Sequence, residues 1–190
     1  VEAHINAYYN PNLTQNSNSV KTVVLNNINK YADSSEMNKY GARFKYSKFQ
    51  TVIDNSNDSI TSNITKIEIR RDMKPALNRN AEYELCFGNS FYIKSDEGYN
   101  IKSSGFTIFG MADTVYLGDS PINNRVGNLF LFKLDGRNSP TVVSSNVGTI
   151  DYERAEILLK PINITGTSKK VQDIPIIEVS ACPQSNDIVG

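Results

Sequence analysis

The sequence predicts an α+β fold, with helices and strands before about residue 75 and strands alone after it. Apolar residues at helical spacing favour an α-helix over residues 19–31, and a period-two alternation favours a strand over residues 1–9. From residue 81 onward, short apolar segments are separated by clusters of Gly, Asn, Asp and Ser. Short strands with regularly spaced turns indicate a sandwich or a strongly bent sheet.

Two helices are predicted in the first part of the chain. The helix at 19–31 carries apolar residues on one face, and Ser17 or Ser19 can cap its N-terminus. The residues on that face are Val20, Val23, Val24, Ile28 and Tyr31. A second helix is predicted over residues 47–53, where Phe49, Val52 and Ile53 share a face.

The remaining segments are predicted to be strands. Residues 64–72 alternate, and because Lys66, Glu68 and Arg70 fill one side, we expect that side to be solvated. The later candidates are residues 82–87, 91–94, 105–109, 114–117, 127–134, 141–143, 148–152, 156–160 and 174–181. Residues 128–134 are apolar on both faces. We favour a central strand there over a strand with one face against a partner.

The charge and composition exclude several function classes. Lys plus Arg and Asp plus Glu both number 20, so there is no net attraction to nucleic acid or to an anionic membrane. No apolar run approaches the roughly 18 residues of a membrane span. The sequence starts without Met and without the features of a signal peptide. We expect that the chain is part of a longer protein.

Residues that perform catalysis or bind metals are scarce. The single histidine, His4, lies in an alternating strand with no nucleophile beside it, and Trp is absent. Cys86 and Cys182 are far apart, and we interpret them as free thiols in or beside strands. The acidic pairs at residues 96–97 and 151/153 lack the spacing of a ligand set. We therefore predict no catalytic, cofactor-binding or metal-ligating residues, and a binding or structural protein instead of an enzyme.

Five stretches resemble the baseplate wedge subunit of T-even-type contractile-tailed phages, in its C-terminal, baseplate J-like part. They are residues 19–31, 43–49, 59–70, 148–152 and 183–188. None of them is a catalytic motif, so their order and spacing carry the resemblance. One departure is the turn at residues 153–156, where a Gly would be expected and the sequence reads Glu-Arg-Ala-Glu.

The resemblance implies an α+β core domain formed by residues 1–74 and 172–190, with a β-rich, sandwich-like insertion at residues 75–171. The closing strand at residues 174–181 would return to the core. It also implies a virion protein of the tail baseplate, made in the bacterial host cytoplasm, which dimerises and joins other wedge subunits in the ring around the central hub. That ring connects receptor engagement to sheath contraction. No cofactor, nucleic acid or membrane partner is implied.

Large permanent contacts are apolar at their centre. Phe130 and Phe132, or Leu129 and Leu131, are therefore the candidate interface residues. The alternative function is that of a carbohydrate-binding β-domain of a tail-fibre or receptor-recognition protein. The ten Tyr and many Asn suit sugar binding. The absence of Trp, and of a strand face that clusters aromatic and acidic residues, counts against it.

Overall fold

A computed structural model describes residues 1–13, 16–94 and 98–189 of the chain. The helices and strands follow one another as β1 (Glu2–Tyr9), α1 (Ser17–Ala32), β2 (Arg43–Phe44), α2 (Tyr46–Asp54), β3 (Ile60–Met73), β4 (Asn80–Cys86), β5 (Lys102–Ser103), β6 (Phe106–Ile108), β7 (Tyr116–Pro121), β8 (Val126–Leu134), β9 (Pro140–Asp151), β10 (Glu156–Thr167), β11 (Lys169–Val171), β12 (Ile174–Ala181) and β13 (Ile188–Val189). The α+β class is confirmed.

The chain forms two compact units, Val1–Ile67 with Ser185–Gly190 and Glu68–Gln184. The first unit contains both helices, and β1 pairs there with β3. The boundary at Ile67 falls within β3. The predicted division into residues 1–74 with 172–190 and residues 75–171 stays a prediction.

Helix α1 begins two residues before the predicted start, because its cap is Asn16. The Asn16 side chain, on an extended backbone, accepts the backbone N–H of Ser19 at 2.7 Å. The predicted caps Ser17 and Ser19 are therefore wrong, since both lie inside the helix. Val20 and Val24 of the predicted apolar face are buried.

The rest of the core of the first unit is built around α2. Phe49 and Ile53 of this helix are buried, and the Phe49 ring lies 5.2 Å from that of Phe44 and 6.1 Å from that of Tyr31. Short strands β2 and β13 pair, with Ile188 opposite Phe44. This pairing brings Ile188, near the last residues of the sequence, beside Phe44 in the core of the first unit.

The second unit is built on an antiparallel sheet with the strand order β4-β10-β9-β8-β7. Strand β6 pairs with the far end of β10. Strand β12, which was predicted to return to the core, pairs with residues 69–73 of β3. The short strands β5 and β11 also pair with β12.

Three strand predictions are wrong in detail. Residues 91–94 form no strand, and Phe91 makes only an isolated bridge to Pro183. The two predicted strands at 141–143 and 148–152 are one twelve-residue strand, β9, whose pairing with β8 shifts register. The third error concerns the charged side of β3, because Glu68 is only 5% exposed there. Its carboxylate pairs with the ammonium of Lys102 at 3.0 Å, which offsets the cost of burial.

Candidate functional site

The four predicted interface residues lie on β8. This strand is hydrogen-bonded to β7 on one side and to β9 on the other, so the predicted central strand is confirmed. Leu129 and Leu131 are completely buried, and Phe132 is nearly so. Phe130 is half-buried. Of the four, Phe130 therefore offers the most surface to a partner.

Phe130 belongs to a cluster of aromatic rings on one face of this sheet. The Tyr99 ring meets Phe130 edge-on at 5.9 Å and Phe132 at 4.9 Å, while Tyr116 stacks on Phe132 at 5.6 Å. The residue opposite Phe130 on β7 is Gly118. A Cβ at Gly118 would lie 2.6 Å from the Phe130 ring, so the ring rests directly on the glycine backbone. The cluster is a firmly packed apolar surface.

A buried polar network holds the loops of the second unit. The Asp119 carboxylate is fully buried and accepts three hydrogen bonds, from the backbone N–H groups of Asn100 and Ile101 at 2.7 and 2.6 Å and from the Tyr152 hydroxyl at 2.7 Å. Burial, followed by this hydrogen bond and the charge of Asp119, raises the pKa of Tyr152 well above its usual range. The phenol therefore remains a donor at physiological pH.

The Asn100 side chain extends the network to distant segments. Its amide nitrogen donates to the carbonyls of Tyr92 and Cys182 at 2.7 and 2.9 Å, and its oxygen accepts the N–H of Cys182 at 2.8 Å. Every polar group named here has a partner, as a stable buried network requires. The network therefore fixes the backbone geometry of these segments, and each of its polar groups is already used in a hydrogen bond.

An open apolar groove of about 340 Å³ lies within the first unit, between β1 and α1. Strand residues Ile5, Ala7 and Tyr9 form one wall. The helix contributes the other wall, with Ser17, Asn18, Val20, Lys21, Val24, Leu25 and Ile28. Leu25 is 49% exposed. The sequence reasoning missed this groove, although Leu25 beside Val24 was the available signal for a second apolar face.

A second hollow, of about 620 Å³, lies in the second unit. It is lined by Phe91, Tyr92, Ile93, Asn124, Tyr152, Glu153 and Gln184. Tyr92 is half exposed, whereas the Tyr152 hydroxyl is turned inward to Asp119. The hollow thus combines one accessible ring with amide and carboxylate groups.

The residues considered for chemistry are not brought together. His4 is exposed on β1. Asp151 and Glu153 both pair with Arg125, at 3.4 and 3.6 Å, and a backbone hydrogen bond from Arg154 is the main cause that lowers the pKa of Asp151. The acidic pair at 96–97 lies outside the described residues. Within residues 1–13, 16–94 and 98–189, no cluster of three or more His, Cys, Asp or Glu could hold a metal ion.

Both cysteines are free thiols. Cys86 ends β4 and is exposed, and Cys182 is half-buried. Partial desolvation of its thiol, followed by the charges of Glu84 and Glu156, raises the pKa of Cys86. A raised pKa suppresses the thiolate, so this cysteine is a poor nucleophile at neutral pH.

Residues 1–72 match the family described as baseplate structural protein gp6, C-terminal domain III. The resemblance seen in the sequence is therefore confirmed over these residues, which are similar to a domain of a phage baseplate structural protein. The matched residues include β1, both helices and most of β3. No curated protein matches the chain. Among the described residues, no helix is both long and apolar enough to cross a membrane.

Proposed function

We propose that the chain is part of a phage baseplate wedge, where it works through protein–protein contacts. The family match over residues 1–72 is the observation that carries this proposal. In this role the chain joins the ring around the central hub and takes part in the switch that triggers sheath contraction. Its partners are other wedge subunits and, in the full-length protein, a second copy of itself. Its place is the tail baseplate of the virion, after synthesis in the host cytoplasm.

Two surfaces of the chain suit such contacts. The aromatic cluster around Phe130 is firmly packed and partly exposed, and aromatic anchors are common at the centres of protein interfaces. The groove between β1 and α1 is the other surface. The zero net charge of the chain leaves no general repulsion between neighbouring subunits. Both surfaces support assembly without any chemical step.

The test is assembly of the purified chain with the other tail proteins of the phage that encodes it, followed by light scattering. We expect complexes larger than a monomer. We also expect Phe130→Ser to weaken them, because it removes the exposed part of the aromatic cluster. Phe109→Ser is the matched control, since Phe109 is 77% exposed and lies outside the cluster. A strict monomer that binds none of these proteins would contradict the proposal.

Carbohydrate binding by the second unit is the second candidate function. The hollow beside Tyr92 favours it, because a ring that can stack on a sugar lies among Asn124, Glu153 and Gln184, whose side chains can hydrogen-bond hydroxyl groups. A glycan array tests it. Specific binding that Tyr92→Ala abolishes and Tyr40→Ala leaves intact would support this function, since Tyr40 is fully exposed elsewhere. An array that shows no specific binding would rule out carbohydrate binding by the second unit.

A further inference from the structure

A short strap near the end of the sequence completes the first unit. Residues 185–189 belong to that unit, whereas the residues before them, up to Gln184, belong to the second. Within the strap, β13 pairs with β2, and Ile188 stands opposite Phe44. The family match ends at residue 72, so the strap comes from outside the matched stretch. The first unit therefore holds, beside β2, a strand that a distant part of the chain supplies.

The apolar anchor of the strap is Ile188. It is 6% exposed, and it is the one buried residue among 185–189. Phe44 opposite it is 7% exposed, and the Phe44 ring lies 5.2 Å from that of Phe49 on α2. Opening of the strap therefore uncovers an apolar site at the edge of the aromatic core.

The polar anchor of the strap is Asp187. Its carboxylate Oδ1 accepts the backbone N–H of Tyr46, the first residue of α2, at 2.7 Å. Lys45, at the cap position of this helix, makes no side-chain capping hydrogen bond. A carboxylate from 141 positions away thus caps α2, where it also meets the partly positive end of the helix. The site beneath the strap therefore selects a carboxylate followed directly by an aliphatic side chain.

The strap is held more lightly than the segment that precedes it. The carbonyl of Cys182 accepts the N–H of Tyr92 at 3.0 Å, and the N–H of Gln184 donates to the carbonyl of Ser90 at 2.7 Å. From Gln184 to Asp187 every residue is exposed, and β13 itself has two residues. Segments with few buried contacts open locally at a much lower free energy than that of global unfolding. We expect the strap to open beyond Gln184 while α2 and β12 stay folded.

We propose that residues 185–189 are a releasable strap over a strand-binding site formed by Phe44 and the N-terminus of α2. The closed state is the observed one. When the strap opens, the site accepts a strand of the same chemistry from another chain, with a carboxylate before an aliphatic residue. The strap thus acts as an autoinhibitory contact that keeps an interface closed until a competing strand displaces it. The inference rests on the proposed function only in that the chain works through contacts with other chains.

Amide hydrogen exchange, followed by NMR on the full chain, tests whether the strap opens by itself. The Tyr46 amide donates to the strap, whereas the Phe49 amide is bonded within the first turn of α2 at 3.0 Å. We expect the Tyr46 amide to exchange at least about tenfold faster than the Phe49 amide. Equal rates at the two amides would show that the strap opens only with the whole unit, and would overturn the proposal.

A disulfide lock provides the matched control for this measurement. Arg43→Cys and Val189→Cys place two thiols at opposed, exposed positions of the strand pair, where the backbone spacing suits a disulfide. Cys86→Ser removes the exposed native thiol from the same chain. Oxidation should slow exchange at Tyr46 and leave exchange at Phe49 unchanged. A lock without effect on Tyr46 would count against the strap.

Peptide binding tests the site beneath the strap. The probe is a fluorescein-labelled peptide with the sequence of residues 183–189, and its fluorescence anisotropy is measured. The reduced form of the lockable chain should bind it saturably, and the oxidised form at least about tenfold more weakly, because the site is then held closed. Ile188→Ser weakens the chain's own strap and should bind the probe at least about fivefold more tightly than wild type. Ile174→Ser makes the same change at a residue of β12 that is 46% exposed, and should bind like wild type.

Three results would overturn the inference. One is the absence of binding to the Ile188→Ser chain at about 1 mM, and another is equal binding to the oxidised and reduced chains. The third is equal binding of a probe with Asn for the Asp and Ser for the Ile, since recognition would then use neither anchor. If the Ile188→Ser chain failed to fold, the comparison of oxidised and reduced chains would still decide. A chain that binds no probe but assembles with other baseplate proteins loses this inference and keeps the proposed function.

Discussion

Replacing Tyr152 by Phe should reveal how much the buried network stabilises the second unit. Tyr152 is only 1% exposed, and its hydroxyl donates a hydrogen bond to the Asp119 carboxylate at 2.7 Å. The variant removes this donor and leaves the ring in place. Asp119 keeps the N–H groups of Asn100 and Ile101 as donors, but the oxygen that faced the phenol loses its partner.

The expected cost at neutral pH follows from the charge of the acceptor. A hydrogen bond to an ionised group contributes about 1.5–3 kcal/mol, and the carboxylate left behind is fully buried. We therefore expect the free energy of unfolding to fall by about 2 kcal/mol. For a chain of this size, that corresponds to a fall of about 4–8 °C in Tm.

The same substitution should change the response to alkaline pH. Because the pKa of Tyr152 is raised in the folded state, its stabilising contribution is complete below the unfolded pKa of about 10 and is lost as the pH rises above it. At pH 11, the ionised phenol of the unfolded chain lowers wild-type stability by about 1.4 kcal/mol relative to neutral pH. The Phe variant lacks this group, so the stability gap between the two proteins should narrow by about that amount.

Urea unfolding of both proteins between pH 7 and 11, followed by far-ultraviolet circular dichroism, measures these quantities. The raised pKa values of Tyr31 and Tyr99 affect both proteins equally and cancel in the difference. Tyr92→Phe is the control, since Tyr92 is half exposed, and it should change neither quantity. A loss below about 0.5 kcal/mol at pH 7, or a gap that stays constant up to pH 11, would refute the assigned role of the hydroxyl.

Three further substitutions test other parts of the fold by thermal melting. Val24→Asp places a charge on the buried face of α1 and should cost several kcal/mol, enough to unfold the first unit; a Tm within a degree of wild type would contradict the assigned face. Gly148→Ala would place a Cβ 2.2 Å from the carbonyl oxygen of Leu158, so a loss of about 3 kcal/mol or more is expected, and an unchanged Tm would rule out this close backbone contact. Replacing Gln172 and Asp173 by Asn and Gly should raise the Tm by about 2–4 °C, since both residues have positive φ in a two-residue hairpin; a lower Tm would argue against that turn.

Elements with a clear period were predictable from the sequence. Residues 174–181 match β12 at both ends, and the segment that is apolar on both faces is the central strand β8. Both helices were located to within two residues, because their apolar spacing is unambiguous. In each case the local pattern and the tertiary packing favour the same structure.

The errors arise where a distant residue decides the outcome. Glu68 looked solvated because its neighbours in the alternation are charged, but Lys102, far along the chain, allows it to be buried. The break at residues 144–147 resembled a turn, yet β9 passes through it with a shift in register. The turn at 153–156 lacks the expected Gly, and Ala155 itself takes the positive φ, at 57°. A single sequence does not reveal such compensations.

The candidate surfaces were only partly predictable, for a related reason. The run at residues 129–132 is strongly apolar, and such a run identifies burial without distinguishing a core from an interface. Leu129, Leu131 and Phe132 are buried, and Phe130 is the one residue of the four that is partly exposed. The groove depends on β1 and α1 lying side by side, which no local pattern in either segment expresses.

Substitutions in the buried network and substitutions in the groove should have different effects. The network of Asp119, Asn100 and Tyr152 lies entirely within the second unit and satisfies its own polar groups, so its variants should act on the stability of that unit. The groove lies entirely within the first unit, and its Leu25 and Lys21 are exposed, so their variants should act on binding and leave melting nearly unchanged. If Leu25→Asp lowered the Tm as much as Val24→Asp does, the groove would be part of the core of the first unit, and its role as a contact surface would have to be given up.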